Sequence, residues 1–315
     1  MTEPVLTVTL NPALDMTAGL DTLAPGAVNL ISSSGVHAAG KGINVARVLS
    51  DLGHPVTVTG LLGQDNQDRF VELFARQGMT DAFVRVPGAN RQNIKLVEQS
   101  RRVTDLNFPG ICATDDAIDH FTTQLTSLAQ SHELIVVAGS LPRGLPTDTF
   151  RQWLQTLRDQ HKRVVLDTSG AALGAGLSAH PWLVKPNQEE LSQWAGSELN
   201  TEAELMAAGD RLAASGIDHV VISRGEQGVL WHHRRCWYRA TPPSVPVVST
   251  VGAGDTLVAG MCHGISLGLP PTETLALATA LSALAVSRTD VGVPDLQQVH
   301  DMAAQIPAEL LGASL

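Results

Sequence analysis

Residues 133–169, ELIVVAGSLPRGLPTDTFRQWLQTLRDQHKRVVLDTS, contain the pattern that decides the fold. The runs ELIVVAGS (133–140) and RVVLDTS (163–169) are rich in β-branched residues and apolar at successive positions, which is typical of strands covered on both faces. The segment between them, DTFRQWLQTLRDQ (148–160), has a helical pattern. A strand, a helix and a second strand in this order predict a right-handed crossover between parallel strands.

The same alternation extends in both directions along the chain. Further strands are predicted at 5–10, 54–63, 182–187 and 219–225, and further helices at 43–53, 66–78 and 201–216. The helix at 201–216 begins with Thr201 and carries Glu204 three residues later, which is the spacing of a capping box. Repeated strand–helix units predict an α/β fold with a mostly parallel sheet flanked by helices.

Two stretches interrupt this alternation. Residues 16–36 and 83–108 have no helical period, and NIKLVEQSRRVTDLNF (93–108) suits antiparallel strands joined by a polar turn. We interpret both stretches as a small β-sheet that covers the α/β core as a lid. The chain is therefore expected to form one domain, 1–315, with the lid strands inserted into the core.

The composition excludes several classes of protein. The 315 residues include 21 Lys and Arg against 31 Asp and Glu, a formal net charge of −10, and 43% are hydrophobic. Such a chain is expected to be folded, with neither nucleic acid nor a membrane as a partner. Its three separated cysteines (Cys112, Cys236 and Cys262) favour neither a disulfide framework nor a zinc site. No signal peptide or membrane span is visible, so we expect a cytoplasmic protein.

The sequence STVGAGDTLVAGMCHGISLG (249–268) is the strongest candidate for a functional motif. Gly252 and Gly254 open a helical pattern, and small residues at a helix N-terminus let backbone N–H groups converge on an anion. Asp255 would repel an anionic ligand there, so it acts either as a catalytic base or as the helix cap. The helix N-terminus is expected to lower the pKa of Asp255 and make it a weak base.

A second glycine-rich segment, GVHAAGKG (35–42), matches part of a phosphate-binding P-loop. A P-loop requires a Ser or Thr hydroxyl after the lysine, and Gly42 stands there instead. Asp167, at the end of RVVLD, could pass as the acidic strand end of such proteins, but any strand that ends in Asp imitates this feature. The glycines, with Asn44 beyond them, better suit a close approach of the backbone to a sugar.

Three oxygen-bearing side chains extend the list of candidates. Asn187 and Glu190 in VKPNQEEL (184–191) lie three residues apart at a predicted helix start, so they share one face. Their oxygens suit a hydrated Mg²⁺, whereas a helix cap with a solvated Glu is the structural alternative. Asp15 follows the first strand and therefore lies where open α/β sheets bind ligands.

The histidines of LWHHRRCW (230–237) do not predict a metal site. Adjacent residues of a strand point to opposite faces, so His232 and His233 cannot chelate one ion together with Cys236. We interpret this run as a surface β-hairpin.

Two of these motifs carry a resemblance to a known family. TVGAGDT (250–256) resembles the C-terminal signature of the ribokinase-like sugar kinases, also called the phosphofructokinase B family, and AAGKGINVARVLSDLG (38–53) resembles the N-terminal one. The resemblance extends over essentially the whole chain. It implies a ribokinase-like α/β core with a β lid, ATP as the phosphoryl donor and Mg²⁺ as the metal.

The resemblance also implies roles for individual residues. Asp255 matches the base that faces the acceptor hydroxyl, and Gly252, Ala253 and Gly254 match the anion hole for the transferring phosphoryl group. Asn187 and Glu190 match a metal–water network. The nucleotide side comprises Lys185, Asn187, Ser223, Gly225, Thr250, Gly252 and Gly254, and the sugar-phosphate side comprises Asp15, Gly40, Lys41, Asn44, Arg91 and Ser140.

The segments LNPALD, HAAGKGIN, RQNIKL and AGSLPRG resemble the phosphosugar branch of the family. This similarity implies transfer from ATP to the 6-hydroxyl of D-fructose 1-phosphate, giving the 1,6-bisphosphate. Tagatose 6-phosphate and fructose 6-phosphate are alternative acceptors, and a non-catalytic sugar-phosphate sensor is the alternative of another class. Lys41 and Arg91 are expected to hold the acceptor's existing phosphate, and the lids are expected to pair two chains into a homodimer.

Overall fold

The fold is described from a computed structural model that covers residues 2–100, 102–288, 290–293 and 295–313. Arg101, inside the predicted lid segment 83–108, lies outside the described residues, as do the two ends of the predicted domain 1–315. The strands are β1 (Val5–Thr9), β2 (Ala13–Leu20), β3 (Ser33–Ala39), β4 (Val56–Gly63), β5 (Thr80–Val86), β6 (Arg91–Glu98), β7 (Val103–Asn107), β8 (Leu134–Ala138), β9 (Arg163–Asp167), β10 (Leu183–Val184), β11 (His219–Ser223), β12 (Val229–His233), β13 (Cys236–Ala240) and β14 (Ala308–Ala313).

Helices alternate with most of these strands. They are α1 (Lys41–Asp51), α2 (Asp68–Arg76), α3 (Asp115–Ala129), α4 (Thr147–Asp159), α5 (Gly170–Leu177), α6 (Gln188–Ala195), α7 (Glu202–Ala214), α8 (Ala253–Ser266), α9 (Pro271–Val286) and α10 (Leu296–Ala303). The capping box predicted at Thr201 and Glu204 is present, since each side chain accepts a hydrogen bond from the other residue's backbone N–H. None of the helices in the described ranges is long and apolar enough to cross a membrane.

The large sheet has ten strands in the order β14-β13-β12-β11-β10-β9-β8-β1-β4-β5. The part of this order that runs from β11 through β10, β9, β8, β1 and β4 to β5 is parallel. Strands β12, β13 and β14 pair antiparallel at one edge. Every residue of β1 and of β8 is buried, as expected of strands covered on both faces. The predicted α/β fold with a mostly parallel sheet is confirmed.

Two apolar layers cover this sheet. On one face, Val5 of β1 packs in a cluster with Ile43 of α1 and Leu257 of α8. On the other face, Leu6 packs in a cluster with Phe121 of α3 and Trp153 of α4. The alternation of neighbouring residues between two apolar clusters explains why the central strands are apolar at successive positions.

A second sheet has four strands in the order β3-β2-β6-β7. It contains most of the strand residues predicted for the lid, and β2 pairs antiparallel with β3 and parallel with β6. The assignment of residues 83–86 to the lid is wrong, because they belong to β5, whose residues pair with β4 in the large sheet. The side chains of Phe83, Val84 and Val86 are buried in the apolar core, and this burial favours the pairing of their strand with the large sheet.

The hairpin predicted at 230–237 is present as β12 and β13, and its turn residues Arg234 and Arg235 have positive φ angles of 49° and 62°. His233 stacks on His219 on one face of the sheet, whereas His232 contacts the Trp237 ring on the other. The expectation of a surface hairpin is wrong for half of this run, because four of its residues are buried: Leu230, Trp231, His232 and Trp237. Among the described residues, no group of three or more His, Cys, Asp or Glu side chains suits a metal ion.

Candidate active site

A polar cavity of about 400 Å³ lies beyond the carboxyl ends of the parallel strands. Asp167 ends β9, Lys185 follows β10 and Ser223 ends β11, so the topology of the sheet brings these three residues together. Thirteen of the sixteen predicted site residues line this cavity: Asp15, Gly40, Lys41, Asn44, Arg91, Lys185, Asn187, Glu190, Ser223, Thr250, Gly252, Gly254 and Asp255.

A second, more apolar cavity of about 720 Å³ adjoins the first. Ser223, Thr250 and Gly254 line both cavities, so the two spaces meet at the glycine-rich turn. Two further predicted residues, Gly225 and Ala253, line the second cavity. Its remaining lining includes aliphatic side chains that suit a flat aromatic group: Val229, Val245, Val247, Leu257, Ala283 and Val286.

Ser140 is the one predicted site residue that lines neither cavity. It is exposed, and its hydroxyl accepts a hydrogen bond of 3.3 Å from Asn11 Nδ2. Asn11 itself is 7% exposed, and its backbone oxygen accepts a hydrogen bond of 3.2 Å from Arg91 Nε. Ser140 is therefore connected to the cavity through Asn11 and Arg91.

Asp255 lies in the first turn of α8, where it is 6% exposed. Gly252, with φ of 81°, occupies the N-cap position, so the alternative that Asp255 merely caps the helix is wrong. Oδ2 of Asp255 instead accepts a hydrogen bond of 2.8 Å from Nδ2 of Asn44 in α1. Asp255 also lines the polar cavity.

The pKa of Asp255 is shifted in the direction opposite to the one that its position at a helix N-terminus suggests. Burial, followed by repulsion from Asp167, raises the pKa of Asp255 to about 6, although Asn44, Lys41 and Lys185 act to lower it. The expected depression by the helix N-terminus is therefore wrong. A carboxylate with this pKa is a better proton acceptor near neutral pH than an ordinary aspartate.

Two lysines share the buried carboxylate of Asp167. Lys41 Nζ lies 3.0 Å from Asp167 Oδ1, and Lys185 Nζ lies 3.5 Å from the same oxygen. Burial acts to lower the pKa of Lys41, but Asp167, Asp255 and Glu190 together raise it above its ordinary value. Lys41 is therefore a firmly protonated cation at the Asp255 end of the cavity.

Gly42, which interrupts the P-loop pattern, serves packing. A Cβ atom at this position would lie 2.4 Å from Thr9 Oγ1 and 2.8 Å from the backbone oxygen of Val8. The absence of a side chain therefore lets α1 approach β1 closely, and Gly42 itself does not line the cavity. The segment 35–42 does run from a strand into a helix, as a P-loop would, but Lys41 is paired with the acidic end of β9.

Asn187 and Glu190 form a helix cap, which is one of the two alternatives that the sequence left open for them. They form a reciprocal capping box at the start of α6, since Asn187 Oδ1 accepts from Glu190 N at 2.7 Å and Glu190 Oε2 accepts from Asn187 N at 2.9 Å. Both residues also line the polar cavity. The capping box fixes two oxygen-bearing side chains at the cavity wall.

The small sheet supplies the opposite wall of the cavity. Asp15 of β2 lies in register with Asn93 of β6, and Asn93 Nδ2 donates a hydrogen bond of 2.8 Å to Asp15 Oδ1. Arg91 lies two residues before Asn93 on the same face of β6, and burial lowers its pKa while the charge of Asp15 acts to raise it.

Sequence reasoning left Asn11, Asn93 and Asp167 without a role in the site. The spacing of Arg91 and Asn93 in RQNIKL, two residues apart in a strand, could have indicated Asn93. Asn11 in LNPALD offered a weaker signal, and for Asp167 the ending of RVVLD was visible but is common to many strands. Only the folded chain shows that Asp167 belongs to the site, because there it lines the cavity and pairs with Lys41 and Lys185.

A buried carboxylate, a glycine turn, two lysines and an adjoining apolar cavity define a class of enzyme. The turn and the cations can offset charge on a phosphoryl group, the carboxylate can accept a proton from a hydroxyl, and the apolar cavity can hold a nucleobase. Fold and site together are those of an enzyme that transfers a phosphoryl group from a nucleotide to an alcohol.

Comparisons with known proteins identify the family. Residues 9–298 match the pfkB family of carbohydrate kinases. The chain is 51% identical over 311 residues to the 1-phosphofructokinase of Vibrio cholerae, covering 99% of this chain and 98% of that protein. It is 46% identical over 306 residues to the 1-phosphofructokinase of Escherichia coli K12, covering 97% and 98%.

Solved structures agree with this assignment. The crystal structure of Escherichia coli phosphofructokinase-2 in complex with fructose-6-phosphate superposes with a TM-score of 0.88 at 27% identity, covering 97% of this chain and 99% of that one. The chain belongs to the pfkB family of carbohydrate kinases, and it is an ATP-dependent sugar kinase with the ribokinase-like fold expected from its motifs.

Proposed function

We propose that the protein transfers the γ-phosphoryl group of ATP to the 6-hydroxyl of D-fructose 1-phosphate. The observation that carries this proposal is the position of Asp255, which lines the polar cavity directly after Gly254, the residue that lines both cavities. An acceptor hydroxyl beside Asp255 would thus lie next to the point where a nucleotide's phosphates enter. The choice of acceptor is supported by the two relatives named 1-phosphofructokinase, at 51% and 46% identity.

The acceptor's own phosphate is assigned to Arg91. The two cations expected to hold it lie at different ends of the cavity, since Arg91 contacts Asn11 and Asn93 near the small sheet and Lys41 pairs with Asp167 near Asp255. A guanidinium can form two parallel hydrogen bonds to a phosphate. We therefore assign Arg91 to the phosphate already on the sugar and Lys41 to the phosphoryl group in transfer.

The sugar hydroxyls have polar partners between these two ends. Asp15 and Asn93 form a hydrogen-bonded pair on the small sheet, and Asn44 lines the same cavity from α1. Gly40 lines the cavity beside them without a side chain, so the backbone can approach the sugar there. These groups would fix the sugar so that one hydroxyl faces Asp255.

The chemical step requires Asp255 to accept one proton. As the hydroxyl oxygen bonds to the γ-phosphorus and the bond to the ADP oxygen breaks, the hydroxyl proton passes to the Asp255 carboxylate. Backbone N–H groups of the Gly252–Gly254 turn, with Lys41 and Lys185, would stabilise the negative charge on the transferring group. The raised pKa of Asp255, about 6, suits a base that is ionised at neutral pH yet basic enough to take the proton.

The residues present fit a Mg²⁺ ion bound mainly through water. Asn187 and Glu190 offer oxygen ligands at the cavity wall, and Asp167 Oδ2 is buried without a hydrogen-bond partner among the described residues. Because these residues do not form a three-ligand cluster, water and nucleotide phosphates would complete the coordination. When bound, the ion would neutralise charge on the nucleotide phosphates.

The test is an assay of ADP release with the full-length protein. Fructose 1-phosphate, fructose 6-phosphate, tagatose 6-phosphate and unphosphorylated fructose are compared as acceptors, with Asp255→Asn as the inactive control. We expect the highest kcat/KM with fructose 1-phosphate. Preference for fructose 6-phosphate or tagatose 6-phosphate would replace the proposed acceptor, and the absence of turnover with every acceptor would favour a non-catalytic sensor.

We also propose a homodimer formed through the small sheets. Six large apolar side chains of this region are exposed: Val28, Leu30, Ile31, Val103, Leu106 and Phe108. Strand β7, which carries Val103 and Leu106, is an edge strand. An exposed edge with apolar side chains is an aggregation hazard unless another surface covers it, and a second copy would do so.

A reducing compartment is proposed from the cysteines. Cys112, Cys236 and Cys262 are all unpaired, and Cys262 is buried within the core. Free thiols of this kind are typical of proteins that work in the cytoplasm.

A further inference from the structure

Helix α1 carries a row of polar side chains that continues beyond the active site. Lys41, Asn44, Arg47 and Asp51 are spaced by three, three and four residues, so they lie along one face of the helix. The first two contact Asp167 and Asp255 in the proposed site. The second two have no place in that chemistry, yet both reach the same distant segment, residues 290–293.

Arg47 and Asp51 hold this segment at two points. Arg47 Nη2 lies 3.0 Å from Asp290 Oδ1, and the side chain of Arg47 is 9% exposed whereas that of Asp290 is 57% exposed. Asp51 Oδ2 accepts a hydrogen bond of 2.9 Å from the backbone N–H of Val293. A buried cation on the helix thus pairs with the exposed Asp290, and a second contact holds the same loop three residues further on.

Val291, between these two contacts, packs against the glycine turn. A Cβ atom on Gly252 would lie 2.6 Å from Val291 Cγ2, so the valine fills the space beside this residue. Gly252 has a φ of 81° and precedes the helix turn that holds Asp255. The turn is also supported from α9, because Ser282 Oγ donates a hydrogen bond of 3.0 Å to the backbone oxygen of Ala253.

We propose that Arg47 and Asp51 are positioning residues for phosphoryl transfer, which act by holding residues 290–293 so that Val291 fixes the turn at Gly252. This inference rests on the proposed function, because the turn matters only if its N–H groups face the transferring group. Charge stabilisation by backbone donors depends on their being held in place before the reaction. Loss of the contacts that Arg47 and Asp51 make with residues 290–293 should therefore lower kcat while leaving the binding of the sugar phosphate almost unchanged.

The experiment is a double-mutant cycle in the full-length protein. Arg47→Met, Asp290→Asn and the double variant are compared for kcat, both KM values and thermal unfolding, with whichever sugar phosphate the wild type uses. We expect kcat to fall roughly 10- to 100-fold in each single variant, the size typical of a small misplacement at the reacting centre. The double variant should be no slower than the slower single variant, and Arg47→Lys should recover part of the loss.

Two further variants distinguish an effect on the position of the Gly252 turn from a general loss of stability. Val291→Ala removes only methyl groups from the contact with Gly252 and should also lower kcat with little change in KM. Arg85→Met removes an ion pair with Asp81 on the distant edge strand β5 and should leave kcat unchanged. A lower Tm with normal kcat in Arg47→Met and Asp290→Asn, or losses that multiply in the double variant, would overturn the proposal. A wild type without activity on any sugar phosphate would instead refute the proposed function.

Discussion

Asn44 and Asp255 are separated by 211 positions in the sequence and joined by a hydrogen bond of 2.8 Å in the structure. Asn44 lies in the first turn of α1 and Asp255 in the first turn of α8. The bond therefore joins the two sequence motifs by which the chain resembles its family. One of its two ends is Asp255, the residue proposed as the base. The bond also leaves Asp255 with a fixed partner that cannot take its proton, because the amide NH₂ group is a donor only.

Replacement of Asp255 by Asn should reduce kcat by roughly 10²–10⁴, the usual range for loss of a general base. The amide retains the shape of the carboxylate but removes both basicity and charge. Nucleotide affinity should be retained or increase, because a negative charge next to the glycine turn disappears. ADP release measures kcat, and calorimetric titration with ATP measures the affinity. Near-normal turnover would show that Asp255 is not the base.

Thermal unfolding provides a control for that variant. The pKa of Asp255 is raised by burial to about 6 in the fold from an ordinary value of 3.8, so its ionised form destabilises the fold as pH rises through this interval. Asp255→Asn should therefore have a higher Tm than the wild type at pH 7.5. The difference should disappear near pH 4, where the folded wild type is protonated at this position.

The wild-type enzyme should lose activity in acid with a midpoint near pH 6. Below the pKa of Asp255, which burial raises to about 6, the carboxyl group is protonated and cannot accept the hydroxyl proton. The profile should be measured as kcat at saturating substrate, since a sugar phosphate titrates in the same pH range. A kcat that is constant from pH 7.5 to pH 5 would contradict this prediction.

Asp167→Asn should move this acid limb to lower pH. Repulsion from Asp167 is one of the causes that raise the pKa of Asp255, so its removal stabilises the ionised base. Asn44→Ala is the matched variant of opposite sign, because loss of a hydrogen bond that favours the carboxylate should move the limb to higher pH. Each midpoint is compared after normalising kcat to its own maximum. Shifts in the same direction for both variants would show that Asp255 does not set the limb.

Much of the fold follows from local patterns in the sequence. The apolar runs that form β1, β4, β8, β9 and β11 are contiguous and bounded by polar residues, so their type and number could be predicted. The sheet to which a strand belongs is a long-range property, so the local pattern of residues 83–86 does not show that they pair with β4 rather than with the lid. The buried faces of Phe83, Val84 and Val86 are defined only by contacts with distant residues.

The site shows the same division between local and distant information. The sequence patterns predict Asp255, Asn187 and Glu190 because each stands at a recognisable helix start. The pKa of Asp255 could not be predicted, since burial and Asp167, 88 positions away, outweigh the helix N-terminus. The pairing of Lys41 with Asp167 depends likewise on two elements that meet only in the folded chain.

Arg91→Ala and Lys41→Ala should differ in the kinetic constant that they change. Loss of one charge-assisted contact costs about 1.5–3 kcal/mol, or roughly 10- to 150-fold. Arg91→Ala should raise the KM for fructose 1-phosphate by this factor and leave the KM for ATP little changed. Lys41→Ala should instead lower kcat by a similar factor. Arg102→Ala removes an exposed arginine that directly precedes β7 and pairs with Glu98, away from the cavity lining, and serves as the control. A collapse of ATP affinity in Lys41→Ala with sugar affinity intact would favour the P-loop interpretation.

Leu106→Asp should weaken the proposed dimer. Leu106 lies on the edge strand β7 and is 46% exposed, so in a dimer of small sheets it would be covered by the second copy. A carboxylate buried there without a partner would oppose association strongly, because desolvation of a charge is costly. Leu267→Asp is the matched control, since Leu267 is 49% exposed at the end of α8, away from the small sheet. Sedimentation velocity at micromolar concentration should give a dimer for the wild type and for Leu267→Asp, and a monomer or a concentration-dependent mixture for Leu106→Asp. A wild type that sediments as a monomer with full activity would refute the dimer, and a dimer unaffected by Leu106→Asp would place the interface elsewhere.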